Sequence, residues 1–271
     1  MLKFGFELET ALKTHPHLIR SKYIKEIKYD GSICIDGSYS ILLWAREITT
    51  KVFNYPADVE KVKRFIRWLF DRHIHGDAVN DTMGMHIHVS FDSKVHEVMI
   101  FSRRFKNFFL REIRKRYREM WEKRHRNQYC RAWYRIDYFE KVSSDSRYKA
   151  INYIDAWYSH GTFEFRIFQS PKTAKECIDY LMTTLTLIQQ FIEKYDDKFD
   201  ELFGKEIKFD FEATKYVKCR IFKDYDSQKY IVSRCFKNKH EHYVSDSESE
   251  CLGEYYVERE FCEKIVKEIV L

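Results

Sequence analysis

Two short stretches limit this chain more than any other part of it: GMHIHVSF at residues 84–91 and TFEFRIFQ at residues 162–169. Side chains alternate across a strand, so a hydrophobic period of two specifies a sheet with one buried face. In the first stretch Met85, Ile87, Val89 and Phe91 fall on one side and His86, His88 and Ser90 on the other. In the second, Phe163, Phe165 and Ile167 oppose Glu164 and Arg166. Lys and Thr cover most open sheet faces, whereas these strands set imidazole, carboxylate and guanidinium there.

Other segments extend the pattern. In the N-terminal strand Phe4, Phe6 and Leu8 alternate with Gly5, Glu7 and Glu9, and in SILLWAREITTKVF the residues Leu43, Ala45, Glu47 and Thr49 share a face. KYDGSICIDG is extended, with Gly31 and Gly37 as turn residues. SRYKAINYIDAWYSHGTFEFRIF reads as two strands joined at His160-Gly161. Helical spacing marks a helix that Pro56 starts, with Val59, Val62, Phe65, Ile66, Leu69 and Phe70 as its apolar stripe. It also marks a long helix over residues 94–123 and another over 173–195. Past residue 200, KEIKFDFEATKYVKCRIF and KYIVSRCF suggest short strands and residues 255–270 an amphipathic helix. The expected fold is α+β, a mainly antiparallel sheet with helices packed on one face. Residues 1–199 form the expected catalytic domain and 200–271 an α+β extension packed on it.

Composition narrows the function classes. With 44% hydrophobic and 17% aromatic residues in 271, a sizeable core is expected. No apolar run approaches ~20 residues, and MLKFGFELET lacks a signal-peptide core, so a cytoplasmic protein without a membrane partner is expected. Seven cysteines stand singly with no C-x-x-C pair, which reads as free thiols. The net charge of +6 is a small difference between 48 basic and 42 acidic residues. The basic excess concentrates in residues 101–135, but the aromatics there fall on the helix's apolar stripe. Arg103, Arg104, Arg111, Arg114 and Arg118 therefore read as a solvated face, and nucleic acid is not expected as a partner.

If the strands share one sheet, Glu7, Glu9, Glu47, His86, His88, Glu164 and Arg166 line one concave surface, with Asp30 and Ser32 bordering it from a tight loop. Glutamates suit hard cations such as Mg²⁺, whose coordination is usually completed by substrate phosphates. Arg166 amid them suits a phosphate clamp. Two other classes are alternatives: a metal-dependent hydrolase with His86, His88 and a glutamate around zinc, or a nucleic-acid binder built on the basic residues 101–135.

FGFELET, YDGSI, AREITT, GMHIHVSF, SRYKAINY and TFEFRIFQSP, in that order over roughly residues 3–195, resemble the motif set of the amidoligase family. These are carboxylate–amine ligases related to glutamine synthetase and glutamate–cysteine ligase. The resemblance implies a half-funnel sheet with ATP and Mg²⁺ on its polar face, and amide or isopeptide formation through an acyl phosphate. It assigns Glu7, Glu9, His86, His88 and Glu164 to the metals and Arg147, Asn152, Arg166, Asp30 and Ser32 to the nucleotide. Glu47, His86 and Arg166 become the catalytic groups, a histidine or a carboxylate taking the amine proton. The partners implied are a carboxylate and an amine, each a metabolite, a peptide or a protein side chain. The chain lacks G-x-x-x-x-G-K-[ST], so ATP would not sit on a P-loop.

Overall fold

In a computed structural model of the chain, the residues described are 1–35, 42–132, 148–153, 156 and 160–195, without the side chains of 94, 95, 97, 98 and 103. The backbone of 220–224, 229–233 and 256–257 is described as well.

The alternating segments become one antiparallel sheet. Its strands are β1 (Leu2–Leu12), β2 (Ile24–Lys28), β3 (Trp44–Thr50), β4 (Phe53–Tyr55), β5 (Gly84–Phe91), β6 (Ile151–Asn152) and β7 (Phe163–Gln169). The order is β2-β3-β1-β5-β7-β6, with β4 also paired to β1. Register follows the apolar pattern: Phe6 lies opposite Ile87, Leu8 opposite both Met85 and Ile48, and Ile87 opposite Phe165. All six are fully buried, and burying each such side chain is worth about 1.5–3 kcal/mol. A slip of one residue would exchange this face for the charged one, so the register is strongly specified.

The helices are α1 (Val59–Arg72), α2 (Lys94–Phe101), α3 (Arg103–Arg116), α4 (Arg118–Arg124) and α5 (Ala174–Tyr195). The ring of Phe109 on α3 lies 4.7 Å from that of Phe165, and Tyr180 on α5 stacks on Phe168 at 4.7 Å. Phe65 on α1 meets Tyr23, which meets Phe53, which meets Phe4.

The expected helix over 94–123 is interrupted twice. Ser102 leaves helical geometry, and its hydroxyl accepts the Phe105 N–H at 3.1 Å, capping α3. Tyr117, at φ −124° and ψ 57°, donates its hydroxyl to Asp179 Oδ2 at 2.6 Å. The strand pair expected to meet at His160-Gly161 is also different: β6 has two residues, and Ala156 and His160 are helical. Gly161 still turns the chain with φ +63°. Residues 256–257, expected to start a helix, are strand β10 (Tyr256–Val257), which pairs with β9 (Lys229–Ser233); β9 pairs in turn with β8 (Arg220–Asp224). The rest of that expected helix, and the polar NKHEHYVSDSESECLGE at 238–254, expected as a loop, lie outside the described residues.

Compactness divides the chain into two units, one of residues 1–92, 106–134 and 147–189, the other of residues 93–105, 135–146 and 190–271. The large sheet belongs wholly to the first unit, and β8, β9 and β10 to the second. Among the described residues no helix is long and apolar enough to cross a membrane.

Because Phe165 is fully buried where β7 meets α3, Phe165→Ala is expected to cost about 3–5 kcal/mol, read as a lower urea midpoint with an unchanged slope.

Candidate active site

The other face of the sheet carries the chemistry. Register sets Glu9 opposite Glu47, Glu7 opposite His86, and Glu164 opposite both His88 and Asn152. Like charges directly opposed destabilise a strand pair, so the Glu9–Glu47 juxtaposition is a cost of the fold alone. Between β5 and β7 the register shifts: Met85 faces Phe168 and Ile87 faces Phe165, leaving one extra residue on β7. This bulge lies at Arg166 and Ile167 and turns Arg166 Nη1 to 3.4 Å from His86 Nδ1.

His86 is the hub. Its Nδ1 lies 3.4 Å from Glu164 Oε1 and 3.5 Å from Glu7 Oε2, and its Nε2 lies 3.8 Å from Glu9 Oε1. Ligand atoms of Glu7, His86 and Glu164 all fall within 4.8 Å of one another, as do those of Glu9, Asp30 and Glu47. Sequence reasoning grouped Glu7, Glu9, Glu47, His86, His88, Glu164 and Arg166, and the sheet brings them together. Asp30 joins them from the loop after β2, where its Oδ1 accepts the Ser32 N–H at 2.8 Å and the Ser32 hydroxyl at 2.7 Å. Ser32 thus orients Asp30.

The remaining assignments divide. Asn152 is buried and donates to Glu164 Oε2 at 2.8 Å, so it orients a carboxylate. Arg166 donates to Glu164 Oε1 at 2.5 Å. Arg147 lies outside the described residues.

Burial and mutual charge tune these groups. Burial pushes Glu164 up, but the charges of Arg166, His88 and His86 outweigh it and hold the carboxyl below its ordinary range. Glu7 behaves alike: burial is outweighed by hydrogen bonds and charge from His86 and His88. Glu47 moves the other way, raised by burial and by the charge of Glu7 despite Lys28. His88 is raised too, because Glu7 and Glu164 together overcome its burial. Its Nδ1 lies 3.0 Å from Thr162 Oγ1, which leaves Nε2 directed at Glu7 Oε2, 3.7 Å away.

Three supporting residues escaped sequence reasoning. Lys28 pairs with Glu47 Oε1 at 2.8 Å; the strand period could have revealed it, since Lys28 lies opposite Glu47. The Gly84 N–H donates to Glu9 Oε2 at 2.6 Å. A Cβ at Gly84 would sit 3.1 Å from both His86 Nε2 and Arg124 Nη2, closer than packing normally allows, so the bare backbone suits this position. Arg124, within the basic segment, is buried and donates to the carbonyls of Asp81, Met83, Arg166 and Phe168 at 3.2–3.4 Å. It ties the start of β5 to the bulge of β7.

Beyond Glu7 and His88 the face opens into a groove of about 390 Å³, edged by Lys3, Lys25 and Lys51 and floored by Gly5.

A family model described as "Putative amidoligase enzyme" matches residues 92–188, which hold Glu164, Arg166, Asn152 and Arg124. Over that stretch, about a third of the chain, the sequence is similar to the amidoligase family. No curated protein matches the sequence.

The His88 shift has a signed consequence. A histidine whose folded pKa is raised stabilises the protein in full below the unfolded value of about 6.5, and that gain is lost as pH rises through the folded value. Without added metal, the melting temperature of wild type relative to His88→Asn is therefore expected to fall as pH rises above about 6.5. A difference that stays flat, or grows, contradicts the assignment.

Proposed function

We propose that this protein is a carboxylate–amine ligase that uses ATP and Mg²⁺ to activate a carboxylate as an acyl phosphate and couples it to an amine. The observation that carries this reading is the pair of adjacent acidic clusters, Glu7/His86/Glu164 and Glu9/Asp30/Glu47, on one sheet face beside Arg166. On this reading the sheet is the half-funnel of the glutamine synthetase type.

The donor set fits hard divalent cations. Carboxylate oxygens outnumber imidazole nitrogens, which favours Mg²⁺ or Mn²⁺ over zinc and weighs against the hydrolase alternative. Glu7, His86 and Glu164 would hold one ion, and Glu9 and Asp30, with Glu47 alongside, a second. Such ions supply neutralisation of phosphate charge.

The protein's own groups do the rest. Arg166, kept charged by Glu164, meets the transferred phosphoryl group. The Lys3, Lys25 and Lys51 rim beyond Glu7 suits the remaining phosphates, and the groove is of a size for such a ligand. A substrate carboxylate oxygen attacks the terminal phosphorus and ADP leaves. The amine nitrogen then attacks the acyl carbon, phosphate leaves, and the amine proton passes to a base. Glu47, whose basicity burial and Glu7 raise, is the carboxylate best suited to accept it.

The test is calorimetry of ATP binding with and without Mg²⁺, beside thermal melting. Wild type is expected to bind ATP only with the metal. Glu164→Gln should keep the fold while losing metal-dependent binding by more than the roughly 10- to 100-fold that follows removal of an orienting neighbour. Arg166→Met should bind ATP yet slow acyl-phosphate formation by about 2–4 kcal/mol of barrier, as loss of an oxyanion donor does. If wild type binds no nucleotide with any divalent metal, the ligase reading fails.

A further inference from the structure

A second basic hollow, of about 880 Å³, lies at the β2 edge of the sheet, where the 3-10 turn Pro16–Leu18 approaches β2 and β3. Arg20, Lys22, Lys25 and Arg46 line it, and Glu26 is the single acidic residue among its walls. None of those four cations has a carboxylate within 4 Å among the described residues, unlike Lys3, Lys28, Lys61 and Lys63. The guanidinium of Arg46 lies over the Tyr29 ring at 5.4 Å, which holds it in place without neutralising it. The floor is aliphatic, formed by Ile19, Ile24 and Ile27.

Two features give the hollow direction. Among the described residues β2 has a strand partner, β3, on one side, and its other edge, where the Ile24 N–H donates to the Ser21 carbonyl at 3.2 Å, pairs with no described strand. The β2–β3 register slips between Ile24 and Glu26, which makes Lys25 a bulge residue, and Lys25 lines both this hollow and the groove that ends at Glu7 and His88.

We infer that this edge docks an extended acidic polypeptide segment, added alongside β2 with its carboxylates toward Arg20, Lys22, Lys25 and Arg46. A strand edge selects a polypeptide, because a peptide backbone supplies alternating donors and acceptors at strand spacing. The charge selects an acidic one. Docking stands apart from the ligase reading; what the bound segment would deliver, a carboxylate or an amine for coupling, rests on it.

The test uses the full chain and a fluorescent hexaglutamate peptide, read by anisotropy at low and high salt. Wild type is expected to bind in a salt-sensitive manner. The double variant Arg20→Glu, Lys22→Glu is expected to weaken binding by about tenfold or more while melting as wild type does and binding ATP with Mg²⁺ unchanged. Arg114→Glu, Arg118→Glu, with the same change in net charge on the exposed face of α3 and α4, is expected to bind the peptide as wild type does. Equal losses in both variants, no loss in the first, or equally tight binding of a thymidine hexanucleotide would overturn the inference. ATP binding without peptide binding overturns it and leaves the ligase reading intact; peptide binding without ATP binding does the reverse.

Discussion

Electrostatic crowding on one sheet face is the constraint to which the rest of this structure answers. Glu7 and Glu9 come from β1, Glu47 from β3 and Glu164 from β7, and Asp30 joins from a loop. Buried carboxylates repel one another and lose hydration, and each must find a cation or a donor. The fold answers locally: Arg166 and Asn152 on Glu164, Lys28 on Glu47, the Gly84 N–H on Glu9, and His86 between Glu7, Glu9 and Glu164. The compensation is incomplete at Glu47, which burial and Glu7 still push upward. An incompletely compensated acidic cluster is a place where added positive charge is favourable.

Holding such a face together falls to the opposite side. Phe6, Leu8, Met85, Ile87 and Phe165 fix the register, and through it which carboxylate faces which. Arg124 adds a second constraint from within the layer of helices. Its four carbonyl contacts span the entry of β5 and the bulge of β7, so one side chain governs the place of the Gly84 N–H and of Arg166. A buried guanidinium with carbonyls as its bonded acceptors is costly to desolvate. Its position therefore says that the spacing of those two strand segments matters.

Much of this was legible in the sequence because alternation is a strict code. His86, His88, Glu164, Arg166, Glu7 and Glu9 could be assigned to a common face from period alone, and α5 from its apolar spacing. What stayed hidden depends on contacts between distant residues. The breaks at Ser102 and Tyr117 come from a cap and from a hydroxyl reaching Asp179, while the apolar stripe runs on through both. Arg124 sits among arginines that face solvent, and composition cannot tell the buried one from the rest. The β7 bulge has no mark in FEFRIFQ beyond the adjacent Ile167 and Phe168, both buried. Nothing in YKAINY shows that Asn152 lies directly opposite Glu164.

Division of labour between the two faces has a consequence for how such a protein tolerates change. Substitutions on the apolar face alter the free energy of the whole sheet, and through register they disturb every charged residue at once. Substitutions on the polar face relieve or sharpen repulsion among neighbours while leaving the core untouched, because those side chains contribute little packing to it. Stability and chemistry can thus vary with some independence, except where a residue serves both. Gly84 is one such residue, since its backbone N–H holds Glu9 while its missing side chain leaves room for His86 and Arg124. Arg166 is another: its carbonyl is tied to Arg124 and its guanidinium to Glu164, so the bulge that aims it belongs as much to the fold as to the site.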